Sequence, residues 1–331
     1  MTDELPGPVL DLMRSGSVAS FATVSAARVP IDTPVLYFPG EGLGTFNLTT
    51  GISYPAKAER ARRNSKVGLL LEGGPDEPVI AIAGMAAVRD ADLQANVERY
   101  LAEAAYTLPM GPDWALARQA VWYWTRIIVE VTPARVVWWD HPAALDQVPH
   151  RWQAAADTIY PQSDPAPPGK VSQPASWEQP AWQDLAQAAK VRGAKCHLSL
   201  IDSEGFPLPM PVRRAEVNAE GFTLELPRGI PGPLAGKACL TYGGIETFVG
   251  EISGAKGRAS FKVERVLPVF PMTRDMTQLW QPTGDTKAQL MRRLGEETAR
   301  RGQPVPAIPE DRPPASEGYQ RRMARMQALA E

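Results

Sequence analysis

The sequence predicts a mainly β fold with flanking helices (α+β): two tandem small β-barrels, the second degenerate, followed by a helical C-terminal tail. Three observations lead there. Short apolar, β-branched runs recur with Gly, Pro, Asn and Asp at their joins. A single short basic helix interrupts the first set of runs after the third. The order of runs then repeats in the second half of the chain, as in a diverged duplication. At 331 residues and 44% hydrophobic content there is material for two cores, domains commonly having ~150 residues.

The first domain is assigned to residues 1–140. Residues 8–14 have helical amphipathic spacing, ended by Gly16, and 18–24 (VASFATV) read as an apolar strand. The next run, 29–38, contains Pro30 and Pro34, which mark an edge or bulged strand with an interrupted ladder. A turn at 39–42 returns the chain into 43–48. After the basic helix come a buried strand at 66–71, a Gly/Pro loop at 72–77, and a strand at 79–89 in which Gly84 marks a bulge or close backbone approach. Helical spacing follows over 91–105 with Asp90 as its cap, then a second helical piece over 114–124. The strands 126–131 and 135–139 close the set. Antiparallel strands in this order, with one inserted helix, imply a closed or nearly closed barrel.

The stretch 45–67, TFNLTTGISYPAKAERARRNSKV, carries the candidate site. Its turn offers Asn47, Thr49, Thr50 and Ser53, and Ser53 is placed to N-cap a helix with Pro55 in its first turn. Free N–H groups, hydroxyls and Lys57 one turn in suit a phosphate or another small anion. The same residues also read as an ordinary capped surface helix whose Lys57, Arg60, Arg62 and Arg63 are solvated.

Residues 141–180 turn to Pro, Ala, Gln, Ser and Asp and read as a Pro-rich linker, with one helical segment at 151–159. The second domain is assigned to 181–282. Its strands at 196–201, 206–217, 222–226, 237–242, 247–256 and 259–268 repeat the order of the first. Where the first copy has the basic helix, the second has RGIPGPLAGKA with Lys237 as the nearby cation, so the second anion site is expected to be lost. The tail, 283–331, carries a helix at 287–301 capped by Thr283, with Leu290, Met291 and Leu294 on one face. Another helix follows at 316–330 with Tyr319, Met323, Met326 and Leu329. Both stripes read as packing surfaces.

Composition excludes several function classes. A formal charge of −2, from 35 basic and 37 acidic residues, gives no global field for nucleic acid or an anionic membrane. Cys196 and Cys239 are too few for a disulfide framework or zinc site, so no metal is expected. No apolar run reaches the ~20 residues a membrane span needs, and a cytoplasmic protein is expected. There is no GxSxG, HExxH or phosphate-loop motif. His141, His150 and His197 read as structural or surface residues.

The order of elements over residues 15–139 resembles the FMN-binding split-barrel family, typified by pyridoxamine 5′-phosphate oxidase and its flavin and deazaflavin reductase relatives. The residues that carry the resemblance are FATVS (21–25), Thr33-Pro34-Val35, the hydroxyl-rich turn leading to Lys57, and Arg63-Asn64-Ser65-Lys66-Val67. IAIAGMAAV with Gly84 and VTPARVVWW agree. The resemblance implies that Thr49, Thr50, Ser53 and Lys57, helped by Arg63, hold the FMN phosphate, with Asn47 also among the cofactor-binding residues. It sets Thr33, Pro34 and Val35 beside the flavin edge. Asp32 stands where the oxidase branch has Arg, so pyridoxal phosphate chemistry is not implied.

The implied function is an FMN-dependent oxidoreductase moving hydride or electrons between flavin and a small organic substrate or oxygen, with NAD(P)H as a candidate reductant. The flavin N5 would carry the chemistry, so no protein acid or base is singled out. The alternatives are a non-catalytic flavin- or heme-binding (heme-utilisation) protein and a deazaflavin (F420)-dependent reductase. Because split barrels pair, the two copies are expected to form a pseudo-dimer inside one chain, with a homodimer of chains also open. Arg213 or Arg214 of the second copy is then expected to close the pocket of the first.

Overall fold

A computed structural model describes residues 4–104, 113–172, 179–231, 234–255, 257–269, 282, 285–314 and 316–328. The first sheet contains β1 (Val18–Val24), β2 (Pro30–Pro39), β3 (Phe46–Gly51), β4 (Lys66–Glu72), β5 (Val79–Arg89), β6 (Arg126–Trp139) and β7 (His150–Gln153). Their order is β3-β2-β1-β4-β5-β6-β7, and β3 also pairs with β6, which closes six strands into a ring. The 14-residue β6 makes closure possible, because its length serves three neighbours. Its first half binds β3 and most of it binds β5, while Arg135 to Trp138 binds β7. The register shifts between Ala83 and Gly84, the predicted bulge. A Cβ at Gly84 would lie 2.5 Å from Val131 Cγ1 and 3.0 Å from the Thr132 carbonyl oxygen, so the close approach requires glycine.

Helices cover this ring. Helix α1 (Gly7–Arg14) buries Val9, Leu10, Leu12 and Met13. Helix α2 (Ala56–Arg63) lies between β3 and β4 and turns its small residues Ala58 and Ala61 inward, which lets the helix sit close. Helix α3 (Leu93–Ala104) is capped by Asp92, whose Oδ1 accepts from the Ala95 N–H at 2.9 Å. Asp90, the predicted cap, is instead bound in ion pairs to Arg62 and Arg301. The predicted piece at 114–124 divides into α4 (Trp114–Ala117) and α5 (Val121–Trp124), joined by Trp124 Nε1 donating to the Ala117 carbonyl at 2.7 Å.

The stretch read as a linker is fastened to the first barrel. Residues 150–153 form β7 rather than part of a helix, since pairing with β6 satisfies their backbone. Asp164 accepts from the N–H groups of Asp90 and Ala91, at 2.8 and 2.9 Å.

After α6 (Trp182–Arg192), the second sheet contains β8 (Cys196–Ile201), β9 (Pro207–Pro211), β10 (Arg214–Val217), β11 (Gly221–Glu225), β12 (Ala235–Tyr242), β13 (Glu246–Ala255) and β14 (Arg258–Val266). Its order is β10-β11-β14-β13-β12-β8-β9. The sequence reads 206–217 as one strand, but the chain changes partner inside it. Val212 N–H donates back to Cys196, and Arg213 N–H donates forward to Glu225. If β9 and β10 are taken as one broken strand, the cyclic order matches that of the first ring.

The hairpins β1–β2 and β8–β9 align without a gap. The pairs Ser20↔Pro34, Ala22↔Asp32 and Val24↔Pro30 become His197↔Pro211, Ser199↔Pro209 and Ile201↔Pro207 at a constant offset of 177 residues. The barrels meet through β4 on β9 and β2 on β12, contacts that exchange when the copies are swapped. Both are backbone-close. A Cβ at Gly68 would lie 1.7 Å from the Pro207 carbonyl oxygen, and one at Gly244 would lie 1.8 Å from Pro34 Cδ.

In the tail, α7 (Thr286–Arg300) sends Leu290 and Leu294 into the first core, and α8 (Glu317–Ala328) packs near α3. Thr283, Leu329 and Ala330 lie outside the described residues, as does the Met326 side chain.

Candidate functional site

The turn after β3 is built from local bonds. Thr50 Oγ1 donates to the Tyr54 carbonyl at 3.3 Å, and Asn47 Nδ2 donates across the β2–β3 pair to the Phe38 carbonyl at 3.1 Å. Ser53 does not cap α2. Its hydroxyl donates to the Leu290 carbonyl of α7 at 2.9 Å, and α2 begins after Pro55 with no side-chain cap. Among the described residues, no side chain caps the first N–H groups of α2.

Lys57, in the first turn of α2, is half-buried and has no hydrogen-bond or ion-pair partner among the described residues. Burial, then the positive charges of Arg60 and Arg126, lower its ammonium pKa to about 7, while Asp32 opposes the shift. Arg126 heads β6 and is buried. Its guanidinium lies 4.5 Å from the Tyr100 ring centroid and 4.1 Å from that of Tyr123, and its Nε has no acceptor among the described residues. Arg60 Nε donates to Thr23 Oγ1 at 2.7 Å, and burial brings its pKa down to about 10. Three cations therefore converge where Asp32 is the carboxylate acting on Lys57. This arrangement favours an incoming anion, since each like-charged neighbour raises the cost of the others.

The other predicted residues divide between structural use and availability. Asn47, Thr50 and Ser53 spend their donors within the fold. Among the described residues, the half-buried Thr49 has no partner for its hydroxyl, and neither has the buried Oγ1 of Thr33. Val35 is buried, and Pro34 meets Gly244 of the second barrel. Arg63 is exposed at the far end of α2 and acts on Arg60 through its charge. Arg213 and Arg214, expected to close this pocket, line a groove of the second barrel. Arg126 escaped the sequence reading, although a lone arginine at the head of an apolar strand is a visible signal.

A second polar group lies where the barrels meet. Ser20 Oγ and His197 Nδ1 are 2.8 Å apart, and His197 Nε2 is 2.6 Å from Glu72 Oε2. Ser20 also reaches Asp32, whose Oδ2 accepts from Ser199 Oγ at 3.2 Å. Ser20 and His197 occupy equivalent positions in the two copies, so their contact sits on the approximate two-fold relation between the barrels. Burial raises the pKa of Asp32 against the pull of His197, Ser199, Ser20 and Lys57. Burial alone would lower that of His197, but the bond and charge of Glu72 raise it overall. Glu72 is lowered, because His197 and Lys195 outweigh its burial.

A raised His197 contributes stability below its unfolded value of about 6.5 and loses it as pH rises through the folded value. Melting curves from pH 6 to pH 9 are expected to show a smaller loss for Glu72→Gln than for the wild-type chain. Equal losses would remove the pair as a source of pH dependence.

No known family profile matches the sequence, and no curated protein matches it. Solved structures similar to it include a conserved hypothetical protein from Mycobacterium tuberculosis, at 21% identity and TM-score 0.34, covering 46% of this chain and 95% of that one. PhzG from Burkholderia lata, in complex with tetrahydrophenazine-1-carboxylic acid, matches at 12% identity and TM-score 0.34, over 47% and 91%. A pyridoxamine 5′-phosphate oxidase-related, FMN binding protein from Nostoc punctiforme matches at 13% identity and TM-score 0.31, over 45% and 90%. By its own topology the chain is a tandem pair of barrel sheets, a closed ring of six strands and a second sheet whose cyclic strand order is the same, consistent with two tandem split barrels.

Proposed function

We propose that the chain binds FMN through its phosphate at Lys57, Arg60 and Arg126 and works as an FMN-dependent oxidoreductase on a small organic substrate or oxygen. The observation that carries this reading is the Lys57 ammonium, half-buried and unpaired beside two further cations and an uncapped helix start. A phosphate ester supplies the charge this cluster lacks. The unengaged hydroxyl of Thr33 and the Pro34–Gly244 contact support the strand β2 as the wall beside a ring system, with the second barrel closing it. The second barrel then does within one chain what a partner subunit does for a single split barrel. FMN, when bound, supplies hydride and electron transfer at its N5. The residues named here bind and orient it and shield it from water.

Heme fits this chain less well. His197, the least exposed of the three histidines, has both ring nitrogens in hydrogen bonds, so neither is placed to ligate iron.

Titrating the purified chain with FMN tests the reading through flavin absorbance and fluorescence. Saturable binding of one FMN per chain is expected, followed by anaerobic bleaching with NADH or NADPH if a nicotinamide is the reductant. A chain that leaves flavin fluorescence unchanged at high concentration would overturn it.

A further inference from the structure

An arginine-lined groove that the proposed flavin site does not use runs along the second barrel, and its larger end reaches Glu72 and His197 where the barrels meet. A cavity of about 350 Å³ and another of about 920 Å³ adjoin, with Asp146, Arg213 and Glu225 lining both. The smaller is lined by three arginines, Arg213, Arg228 and Arg258, against two carboxylates, Asp146 and Glu225. The Asp146 carboxylate is already engaged: it pairs with Arg213 at 2.8 Å and accepts from the Arg228 backbone N–H at 2.8 Å. The guanidinium groups of Arg228 and Arg258 have no hydrogen-bond or ion-pair partner among the described residues.

These two arginines are brought together by the backbone. Gly257, at φ +92°, turns the chain from β13 into β14, and a Cβ there would meet Arg228 Cγ and Nε at 3.8 Å. The Arg228 stem thus lies across the turn beside Arg258. Both arginines line the smaller cavity, where Glu225 is the cross-strand partner of Arg258, and an oxyanion there would meet Arg228 and Arg258 with charge-assisted hydrogen bonds. The larger cavity differs in character. Leu145, Pro211, Val212 and Tyr242 give it apolar wall, and its volume falls within the range of small-molecule sites.

We propose that this groove binds a small organic anion, with its phosphate or carboxylate on Arg213, Arg228 and Arg258 and its apolar body in the larger cavity. Because strand β9 breaks from β10 at residues 212–213, Arg213 is delivered to the head-group end while Pro211 and Val212 face the body. The site shares no residue with the Lys57 cluster.

Calorimetric titration of the full chain with phenyl phosphate and with benzoate tests this, and inorganic phosphate serves as the probe without a body. Saturable binding of phenyl phosphate or benzoate is expected, and the better ligand identifies the head group. The double substitution R228S/R258S is expected to weaken it about tenfold or more, while Lys57→Ala leaves it unchanged. The melting temperature of the double variant should match wild type, because neither guanidinium holds the fold together. No binding of either organic anion overturns the proposal. So does binding that the double variant retains, binding that Lys57→Ala abolishes, or inorganic phosphate binding as tightly as phenyl phosphate.

Discussion

Lys57→Ala is expected to weaken FMN binding about tenfold to a hundredfold, the effect of losing one charge-assisted contact of roughly 1.5–3 kcal/mol. Fluorescence titration of wild type and variant measures it. Two further readouts distinguish this lysine from a solvated one. In the free chain its pKa is about 7, so above neutral pH much of the population carries a neutral amine. A bound phosphate favours the ammonium and must draw a proton onto it. Wild-type affinity should therefore fall as pH rises from 7 to 9, with proton uptake on binding, and the variant should lose that dependence. The second readout is stability. A lysine whose folded pKa lies below its unfolded value of about 10.4 opposes folding increasingly as pH falls from that value towards 7. Without ligand, Lys57→Met should then melt higher than wild type at pH 7, while binding FMN less well. Unchanged affinity together with unchanged stability would place the phosphate elsewhere.

Legibility in the sequence followed the range of the interaction. The strands β1 and β5 were readable because β-branched and apolar runs report burial directly, and Gly84 announced a bulge that only a missing Cβ permits, whereas the pair read at 126–131 and 135–139 is one continuous strand through Pro133, β6. The repeat was readable because hairpin β8–β9 keeps the proline pattern of β1–β2. Events decided by distant partners were not. Ser53 looks like a helix cap because its local context allows it, yet its hydroxyl goes to Leu290, 237 residues away. Asp90 likewise looks like a cap until Arg301 claims it. Strand 206–217 breaks because two neighbours compete for its backbone, which no local pattern records. At the site, Lys57 was visible from its turn. Its dependence on Arg126 was not, since β6 reaches α2 only once the barrel has closed.

Glu297→Ala is expected to cost about 3–5 kcal/mol, the scale seen when one member of a buried ion network is removed. Glu297 on α7 is fully buried. It accepts from Arg300 Nη2 at 2.9 Å, Arg301 Nη1 at 2.6 Å and the Ser172 N–H at 2.6 Å. The two arginines continue the network: Arg300 binds Glu59 of α2, and Arg301 binds Asp90, which in turn holds Arg62 of α2 at 2.6 Å. Removing the central carboxylate leaves two nearly buried guanidinium groups with a carboxylate fewer between them. The same substitution loosens α7, which places Leu290 and Leu294 in the core and supplies the carbonyl bound by Ser53. Because Glu59 and Arg62 lie on the helix that carries Lys57, FMN affinity should fall with stability. Glu297→Gln, which keeps an acceptor of the same shape, should lose less of both. Burial raises the Glu297 pKa, but the bonds from Ser172, Arg301 and Arg300 lower it overall. Its contribution is therefore present above the unfolded carboxylate value of about 4.3 and is lost as pH falls through the folded value. Urea unfolding of wild type and Glu297→Ala at pH 7 and pH 4 checks both the size and the sign, with the difference between the chains expected to narrow in acid. Equal stability at pH 7 would mean that the tail helix is held by its two leucines alone.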